Sequence, residues 1–142
     1  MTLRSFARDV VTSLEDDTVA DAARKMRDAG VGCVVVVRGS RPVGVLTDRD
    51  VAVRIVADGR DPLHTRVSEI VTYDPIVVDA DSDLATASNL VRTHGVRRLP
   101  IVDSSGNLLG IVTVDELLIL VGRTLSNLCS GIEEGADASE SR

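Results

Sequence analysis

The feature that most constrains this chain is a seven-residue phrase that it contains twice. The first heptad, "GVLTDRD", spans residues 44–50, and the second heptad, "GIVTVDE", spans residues 110–116. Each carries a threonine followed three positions later by an acid, and each stands where an apolar run gives way to a charged, helix-like stretch. A chain of 142 residues offers room for one domain or for two half-domains of marginal independent stability, so a duplication has to fold as one unit.

The repetition covers most of the chain at an offset of 65 to 66 residues. Two copies are too few for a solenoid and predict a pseudo-twofold pair. The aligned positions include Val19 with Leu84, Ala22 with Ala87, Met26 with Val91, Gly30 with Gly95 and Gly44 with Gly110.

The hydrophobic spacing changes in the same order within each copy. A capped stretch of helical spacing ends at a glycine, two β-rich runs follow around a turn, and helical spacing then returns. Each copy therefore predicts strand, helix, strand, strand, helix. We place the first unit at residues 8–58, a linker at 59–70 and the second unit at 71–125; residues 126–142 are expected to finish the last helix and form a disordered acidic tail.

The amino-acid composition limits the classes of protein to which this chain can belong. Only Phe6 and Tyr73 are aromatic while 44% of residues are hydrophobic, which predicts an aliphatic core. No apolar run approaches the roughly 20 residues of a membrane span, and the N-terminus lacks a leader pattern, so we expect a soluble cytoplasmic protein without a membrane partner. The net charge of −6 disfavours nucleic acid as a partner. Cys33 and Cys129 are expected to be buried thiols.

The predicted last helix carries more apolar surface than a half-domain needs. Its apolar residues fall near one face at helical spacing, and we expect this face to make a homodimer contact. The residues concerned are Leu117, Leu118, Val121, Leu125 and Leu128.

The paired units, each ending in Gly-aliphatic-x-Thr-x-x-acid, together with "HGVRRLPIVD" at residues 94–103, resemble a tandem of cystathionine-β-synthase (CBS) domains, the arrangement called a Bateman module. The resemblance covers about residues 8–125. It implies an α+β fold in which two pseudo-symmetric β-α-β-β-α units pack through their sheets. It also implies a regulatory module whose clefts hold AMP, ATP, NAD or S-adenosylmethionine.

The resemblance implies that Thr47 and Asp50 of the first heptad contact a ribose. The chemistry agrees, because a carboxylate accepts hydrogen bonds from two neighbouring hydroxyls and a threonine adds a third polar group. The same Thr-x-x-acid pattern also describes a capping box at a helix start. The two interpretations are compatible, and both stay open at this point.

The two copies differ where a phosphate would be held. Arg97 and Arg98 precede a strand of the second copy, whereas the aligned positions of the first are Gly32 and Cys33. The resemblance implies that both arginines reach phosphate in the cleft of the first heptad, and guanidinium groups suit phosphate oxygens. The alternative is a surface pair bonded to acids of this acidic chain.

Three further positions complete the predicted sites. The resemblance implies an adenine contact on the first strand, near Val11 and Thr12, and puts His94 near the phosphate site. A capping or surface role at the helix end is the favoured interpretation of His94. The opposite cleft would use Thr113 and Glu116 with no cation. We expect it to bind weakly, to accept an uncharged adenosine moiety or to stay empty, and the capping box is the favoured interpretation there.

No motif for catalysis or for a metal centre is present in the sequence. It contains no phosphate-binding Gly-rich loop, no paired histidines and no Cys-x-x-Cys. We therefore expect a protein that is not an enzyme, with no tightly bound cofactor and with Mg²⁺ arriving only on a nucleotide. Two hypotheses remain: a sensor of an adenosine nucleotide that acts on a separate effector protein, and a homodimeric interaction or stability module without a ligand.

Overall fold

A computed structural model of the chain describes residues 2–140. The chain divides into two compact units between Val112 and Thr113. The first unit holds the strands and the first three helices, and the second holds the long C-terminal helix.

The first copy of the repeat follows the predicted order of elements. After a 3-10 turn at Leu3–Phe6 come β1 (Thr12–Ser13), α1 (Val19–Ala29), β2 (Cys33–Arg38), β3 (Arg41–Thr47) and α2 (Asp48–Val51), which continues as a π-helical turn over Ala52–Val56. A 3-10 turn at Val67–Glu69 then leads to β4 (Thr72–Tyr73).

The second copy repeats that order. It comprises β5 (Val78–Asp79), α3 (Leu84–His94), β6 (Arg98–Val102), β7 (Leu108–Thr113) and α4 (Val114–Glu140). The predicted α+β fold, with the β-α-β-β-α unit present twice, is confirmed.

The helix ends are set by the residues that the sequence suggested. Thr18 caps α1, its hydroxyl accepting from the Asp21 N–H at 3.1 Å, and Asp83 caps α3 in the same way. Gly30 and Gly95 end the two helices with φ values of 66° and 65°. This left-handed conformation costs glycine little because it has no Cβ.

The strands form two sheets with the orders β1-β2-β3-β4 and β5-β6-β7. β1 runs parallel to β2, while β2, β3 and β4 are antiparallel neighbours. In the second sheet β5 runs parallel to β6. The parallel pairs each span a helix, as expected for a strand-helix-strand crossover.

Each copy lends a strand segment to the sheet of the other. β4, which precedes the second copy, pairs with β3 of the first. At the equivalent place, the Arg8 N–H donates to the Ile111 carbonyl at 3.0 Å and the Ile111 N–H donates to the Arg8 carbonyl at 3.2 Å. The chain before each repeat therefore crosses to the far edge of the partner sheet.

β2 is buried on both faces, which explains its uninterrupted apolar sequence. Val34 and Val36 join α1 and Leu46 in one core cluster. Cys33, Val35 and Val37 join Ile111 of β7 in another. The sheets thus pack through β2 and β7, and the core is aliphatic as predicted.

Two expectations need correction. The acidic segment from residue 133 was expected to be disordered, yet α4 runs through Glu140. The alanines and glutamates of this segment have high helix propensity, which favours continuation of the helix. Residues 141 and 142 lie outside the described part. Cys33 is buried as expected, but Cys129 is exposed on α4; both are free thiols.

The predicted apolar face of α4 is largely uncovered. Leu117 is buried, whereas Leu118, Val121, Leu125 and Leu128 are exposed. No helix within residues 2–140 combines the length and apolarity needed to cross a membrane. The domain bounds proposed above remain a prediction.

Candidate functional site

The first heptad forms a complete capping box. The Thr47 hydroxyl accepts from the Asp50 N–H at 3.1 Å, and Asp50 Oδ2 accepts from the Thr47 N–H at 2.9 Å. The Asp50 side chain is 19% exposed, and its Oδ1 lies 3.7 Å from Arg54 Nη2. Since a carboxylate offers about four acceptor positions, the cap leaves Asp50 able to accept from a ligand.

The second heptad forms the corresponding box with a longer acid. The Thr113 N–H donates to Glu116 Oε2 at 3.1 Å, and the Glu116 N–H donates to the Thr113 hydroxyl at 3.2 Å. The capping role expected for this pair is therefore present. Binding of a ligand in a second cleft stays a prediction.

A cavity of about 220 Å³ opens in the first unit beside the end of β3. Its lining combines aliphatic side chains, two hydroxyls, two cations and one acid. The lining residues are Val45, Thr47, Thr72, Asp74, Pro75, Ile76, Val96, Arg97 and Arg98.

The cavity brings together three of the predicted site residues from opposite copies of the repeat. Thr47 ends β3 in the first copy, and Arg97 and Arg98 stand at the start of β6 in the second. Asp50 lies one helical turn from Thr47 and is bonded to it, although it does not line the cavity itself. Arg97 is exposed, and Arg98 is partly buried.

Arg98 occupies space that a glycine of the other copy leaves open. A Cβ added at Gly32 would lie 3.0 Å from Arg98 Nη2 and 3.2 Å from Asp48 Oδ2. The aligned segments around Gly32 and Arg98 are thus neighbours, as a pseudo-twofold arrangement requires. The difference in sequence between the copies has a spatial reason, because the small residue makes room for the large one.

Cys33, next to this contact, is a poor nucleophile. Burial raises the pKa of its thiol, an effect that the nearby Arg98 partly offsets and Asp48 reinforces. A thiol held in its neutral form is unreactive. Within the described residues, no three His, Cys, Asp or Glu side chains lie close enough together to hold a metal ion.

Sequence reasoning missed one wall of the cavity, namely residues 72–76. Asp74 is there in a left-handed conformation, with φ of 54°, and its N–H donates to the Val43 carbonyl at 3.2 Å. Such values are rare outside glycine, and aspartate tolerates them better than most residues. The dipeptide Asp74-Pro75 was a turn signal, but it did not tell which sheet the turn would join.

Val11, Thr12 and His94 do not line this cavity. The Val11 carbonyl accepts from the Val35 N–H at 2.9 Å, and the Thr12 carbonyl accepts from Lys25 Nζ at 3.0 Å. Thr12 lies in β1, which is separated from β3 by β2. His94 is exposed at the last position of α3.

A sequence model described as the CBS domain matches residues 3–57 and 67–123. The CBS domain-containing protein YhcV of Bacillus subtilis is 40% identical over 115 residues, which are 81% of this chain and 81% of that protein. An uncharacterized protein of Methanopyrus kandleri is 38% identical over 112 residues; the match spans 78% of this chain but 57% of that protein.

Solved structures with the same fold differ in the ligands that they contain. Hypoxic Response Protein I, with two coordinated zinc ions, has a TM-score of 0.74 at 30% identity, covering 83% of this chain and 97% of that one. A CBS domain protein from Pyrobaculum aerophilum, complexed with AMP, has a TM-score of 0.74 at 26% identity, covering 82% and 89%. A hexameric CBS-CP12 protein from bloom-forming cyanobacteria has a TM-score of 0.74 at 28% identity, covering 83% and 66%.

Proposed function

Since the chain belongs to the CBS domain family, whose unit it carries twice, we propose that it is a regulatory module that binds an adenosine nucleotide of the AMP or ATP type in the cavity between Thr47 and Arg98. The bound nucleotide changes the conformation or the assembly of the protein. CBS pairs serve as regulatory modules without catalytic machinery, and the AMP complex of the Pyrobaculum protein supports this ligand class.

The observation that carries the proposal is the meeting of two arginines and the first heptad at one cavity. Arg97 and Arg98 place two permanent positive charges there, in a chain of net charge −6. The Arg98 guanidinium lies near the Asp48 carboxylate, and a guanidinium has five N–H donors, which leaves donors for an anionic ligand. A phosphate group accepts from such a planar fork.

The ribose would be held by the first heptad. Thr47 Oγ1 accepts from a backbone N–H and can still donate its own proton, while Asp50 Oδ1 accepts no hydrogen bond from residues 2–140. Together they offer one donor and one charged acceptor to neighbouring hydroxyls. The capping box therefore orients the same groups that the ligand uses.

The base would lie between aliphatic side chains. Val45, Pro75, Ile76 and Val96 supply the apolar part of the lining. A cavity of about 220 Å³ is smaller than the roughly 300–1,000 Å³ of sites that enclose a drug-sized ligand. A nucleotide would therefore extend out of it toward the exposed Arg97.

The charge of the site favours a phosphorylated ligand. S-adenosylmethionine carries a sulfonium cation, which two arginines would repel, whereas AMP, ATP and NAD carry phosphate. Any Mg²⁺ would come with the nucleotide. The second cleft, with Thr113 and Glu116, would be the weaker one.

A thermal-shift panel tests the proposal with AMP, ATP, NAD, S-adenosylmethionine and a GTP control. A ligand at about a hundred times its dissociation constant adds roughly 2.7 kcal/mol of stability, which is a shift of several degrees for a domain of this size. Asp50→Ala should abolish the shift. Asp83→Ala is the matched control, because it also removes an N-terminal cap but lies outside the site, and it should keep the shift.

A second candidate, a homodimeric interaction module, is favoured by the exposed face of α4. Its apolar residues follow one another at spacings of three and four, a heptad pattern that is typical of a coiled-coil seam. They are Leu118, Val121, Leu125, Leu128 and Ile132. The hexameric CBS-CP12 protein supports self-association in this fold, and the two functions are compatible.

A further inference from the structure

One arginine joins the two walls of the proposed site. Arg54 lies on the π-helical turn that follows α2. Its Nη1 donates to the Ile70 carbonyl, and to the Thr72 hydroxyl at 3.2 Å. Its Nη2 lies 3.7 Å from Asp50 Oδ1. π-turns in α-helices are frequent at functional sites.

The contacts of Arg54 add polar links to a segment whose Ile70 and Val71 already pack in the first core cluster. β4 has two residues, which pair with Gly44 and Val45 of β3. Thr72 of β4 lines the cavity, and Ile70 belongs to the segment that leads out of the linker. The guanidinium therefore ties the position of this wall to the carboxylate at the start of α2. A lysine has a single charged nitrogen and cannot serve both sides with a fixed fork.

The two sides of this bridge are unequal. The contacts with Ile70 and Thr72 are hydrogen bonds, whereas the 3.7 Å from Nη2 to Asp50 Oδ1 exceeds hydrogen-bonding distance. A ribose hydroxyl that donates to Asp50 Oδ1 would thus act on the weaker of the Arg54 contacts, the one with Asp50. A ligand shifts the equilibrium between two conformations when it binds one of them more tightly than the other. Here the two conformations would differ in the contact between Arg54 and Asp50.

We propose that Arg54 is a positioning residue that orients Asp50 for the nucleotide and transmits nucleotide binding to residues 70–74, the segment that leads out of the linker into the second unit. The inference rests on the proposed nucleotide site. It adds a route by which occupancy of that site reaches the end of the linker and the residues that follow it.

The test uses the full chain with AMP as the probe and measures two quantities for each variant. Calorimetric titration gives the affinity for AMP, and hydrogen exchange gives the protection of the amides of residues 70–74 with and without AMP. The variants are Arg54→Gln, Arg54→Lys and the control Arg49→Gln, which removes a charge from an exposed position of the same helix.

For the wild type we expect AMP to change the protection of residues 70–74. Arg54→Gln should bind AMP about tenfold more weakly, as for loss of one charge-assisted contact, and should lose that change. Arg54→Lys should restore part of the affinity but not the change, and Arg49→Gln should behave like the wild type.

The outcomes separate the two proposals. Wild-type affinity and a wild-type change in protection for Arg54→Gln would overturn the role of Arg54. A wild type that binds AMP without any change at residues 70–74 would overturn the transmission alone. A wild type that binds neither AMP nor any other nucleotide of the panel would overturn the nucleotide site, and the transmission with it.

Discussion

At the scale of single residues, Gly32 controls where Arg98 lies. A Cβ added at Gly32 would lie 3.0 Å from the far end of the Arg98 side chain. That end of the side chain can move at little cost to the fold. We therefore expect Gly32→Ala to change the free energy of unfolding by less than about 1 kcal/mol and to weaken AMP binding by displacing the guanidinium. Chemical unfolding and calorimetric titration measure the two effects; undiminished AMP affinity would contradict this placement of Arg98.

Gly44 is under the opposite kind of constraint. Its added Cβ would lie 2.5 Å from Val71 Cγ2 and 2.9 Å from the Thr72 carbonyl oxygen. The backbone of β4 cannot yield as a side-chain tip does, so Gly44→Ala should cost about 1–3 kcal/mol, as overpacking does. Urea unfolding checks this value, and a stability equal to that of wild type would mean that β4 does not approach β3 as closely as described.

Asp83 makes part of the stability depend on pH. The Thr86 N–H, at 2.9 Å, and then the Thr86 hydroxyl donate to its carboxylate and hold the pKa of that carboxyl below its usual value. Folding therefore favours the ionised form, and this stabilisation is present above the usual pKa and is lost as the pH falls through the lowered one.

Asp83→Asn keeps a capping oxygen but removes the titration. The variant should lose less stability than the wild type when the pH is lowered from about 7 to about 2. Unfolding curves at both pH values measure the difference. Equal acid losses in the two proteins would show that the Asp83 carboxyl is not stabilised in its ionised form.

Much of the candidate site could be predicted from the sequence, because its polar and charged groups belong to a few side chains. Thr47, Arg97 and Arg98 were predicted together and line one cavity. The wall formed by residues 72–76 was missed since it contributes mainly backbone and aliphatic groups. Whether Asp50 contacts a ribose stays a prediction.

Among the helices and strands, local sequence signals predicted where the elements lie. They did not predict that the segment before each repeat pairs with the sheet of the other repeat. Capping residues and glycines fixed α1 and α3, since these act within a few positions of the chain. β4 is a two-residue strand, and its partner is chosen by tertiary packing at Gly44, which no local period reveals. An adenine contact near Val11 and Thr12, which the family resemblance implies, stays a prediction.

The apolar face of α4 carries its own prediction. Leu125 lies at the centre of the heptad pattern and is 58% exposed. If this face pairs with the same face of a second copy, Leu125→Asp should convert a dimer into a monomer, because it buries a charge in the seam. Light scattering coupled to gel filtration gives the mass.

Ser126→Asp is the matched control for that experiment. It introduces the same charge at the next position, off the 3–4 spacing of the apolar face, and should leave the mass unchanged. A wild-type chain that is already monomeric at high concentration would contradict pairing through α4.

At the scale of the whole molecule, the two copies differ in charge at one site. The chain is acidic overall, at −6, yet the cavity gathers two arginines and a single acid, Asp74. The pseudo-twofold arrangement brings the arginines of the second copy to the heptad of the first. The proposed anionic ligand rests on this difference, and the repeat alone did not reveal that the two segments would be neighbours.

The phosphate site at Arg97 and Arg98 is tested by comparing AMP with adenosine, which lacks the phosphate. Calorimetric titration of the wild type should give at least tenfold tighter binding of AMP, since each hydrogen bond to a charged group contributes about 1.5–3 kcal/mol. In the double variant Arg97→Gln, Arg98→Gln this preference should disappear while adenosine binds as before. Equal affinity of the wild type for AMP and adenosine, or an AMP preference that survives the double substitution, would contradict a phosphate site at these arginines.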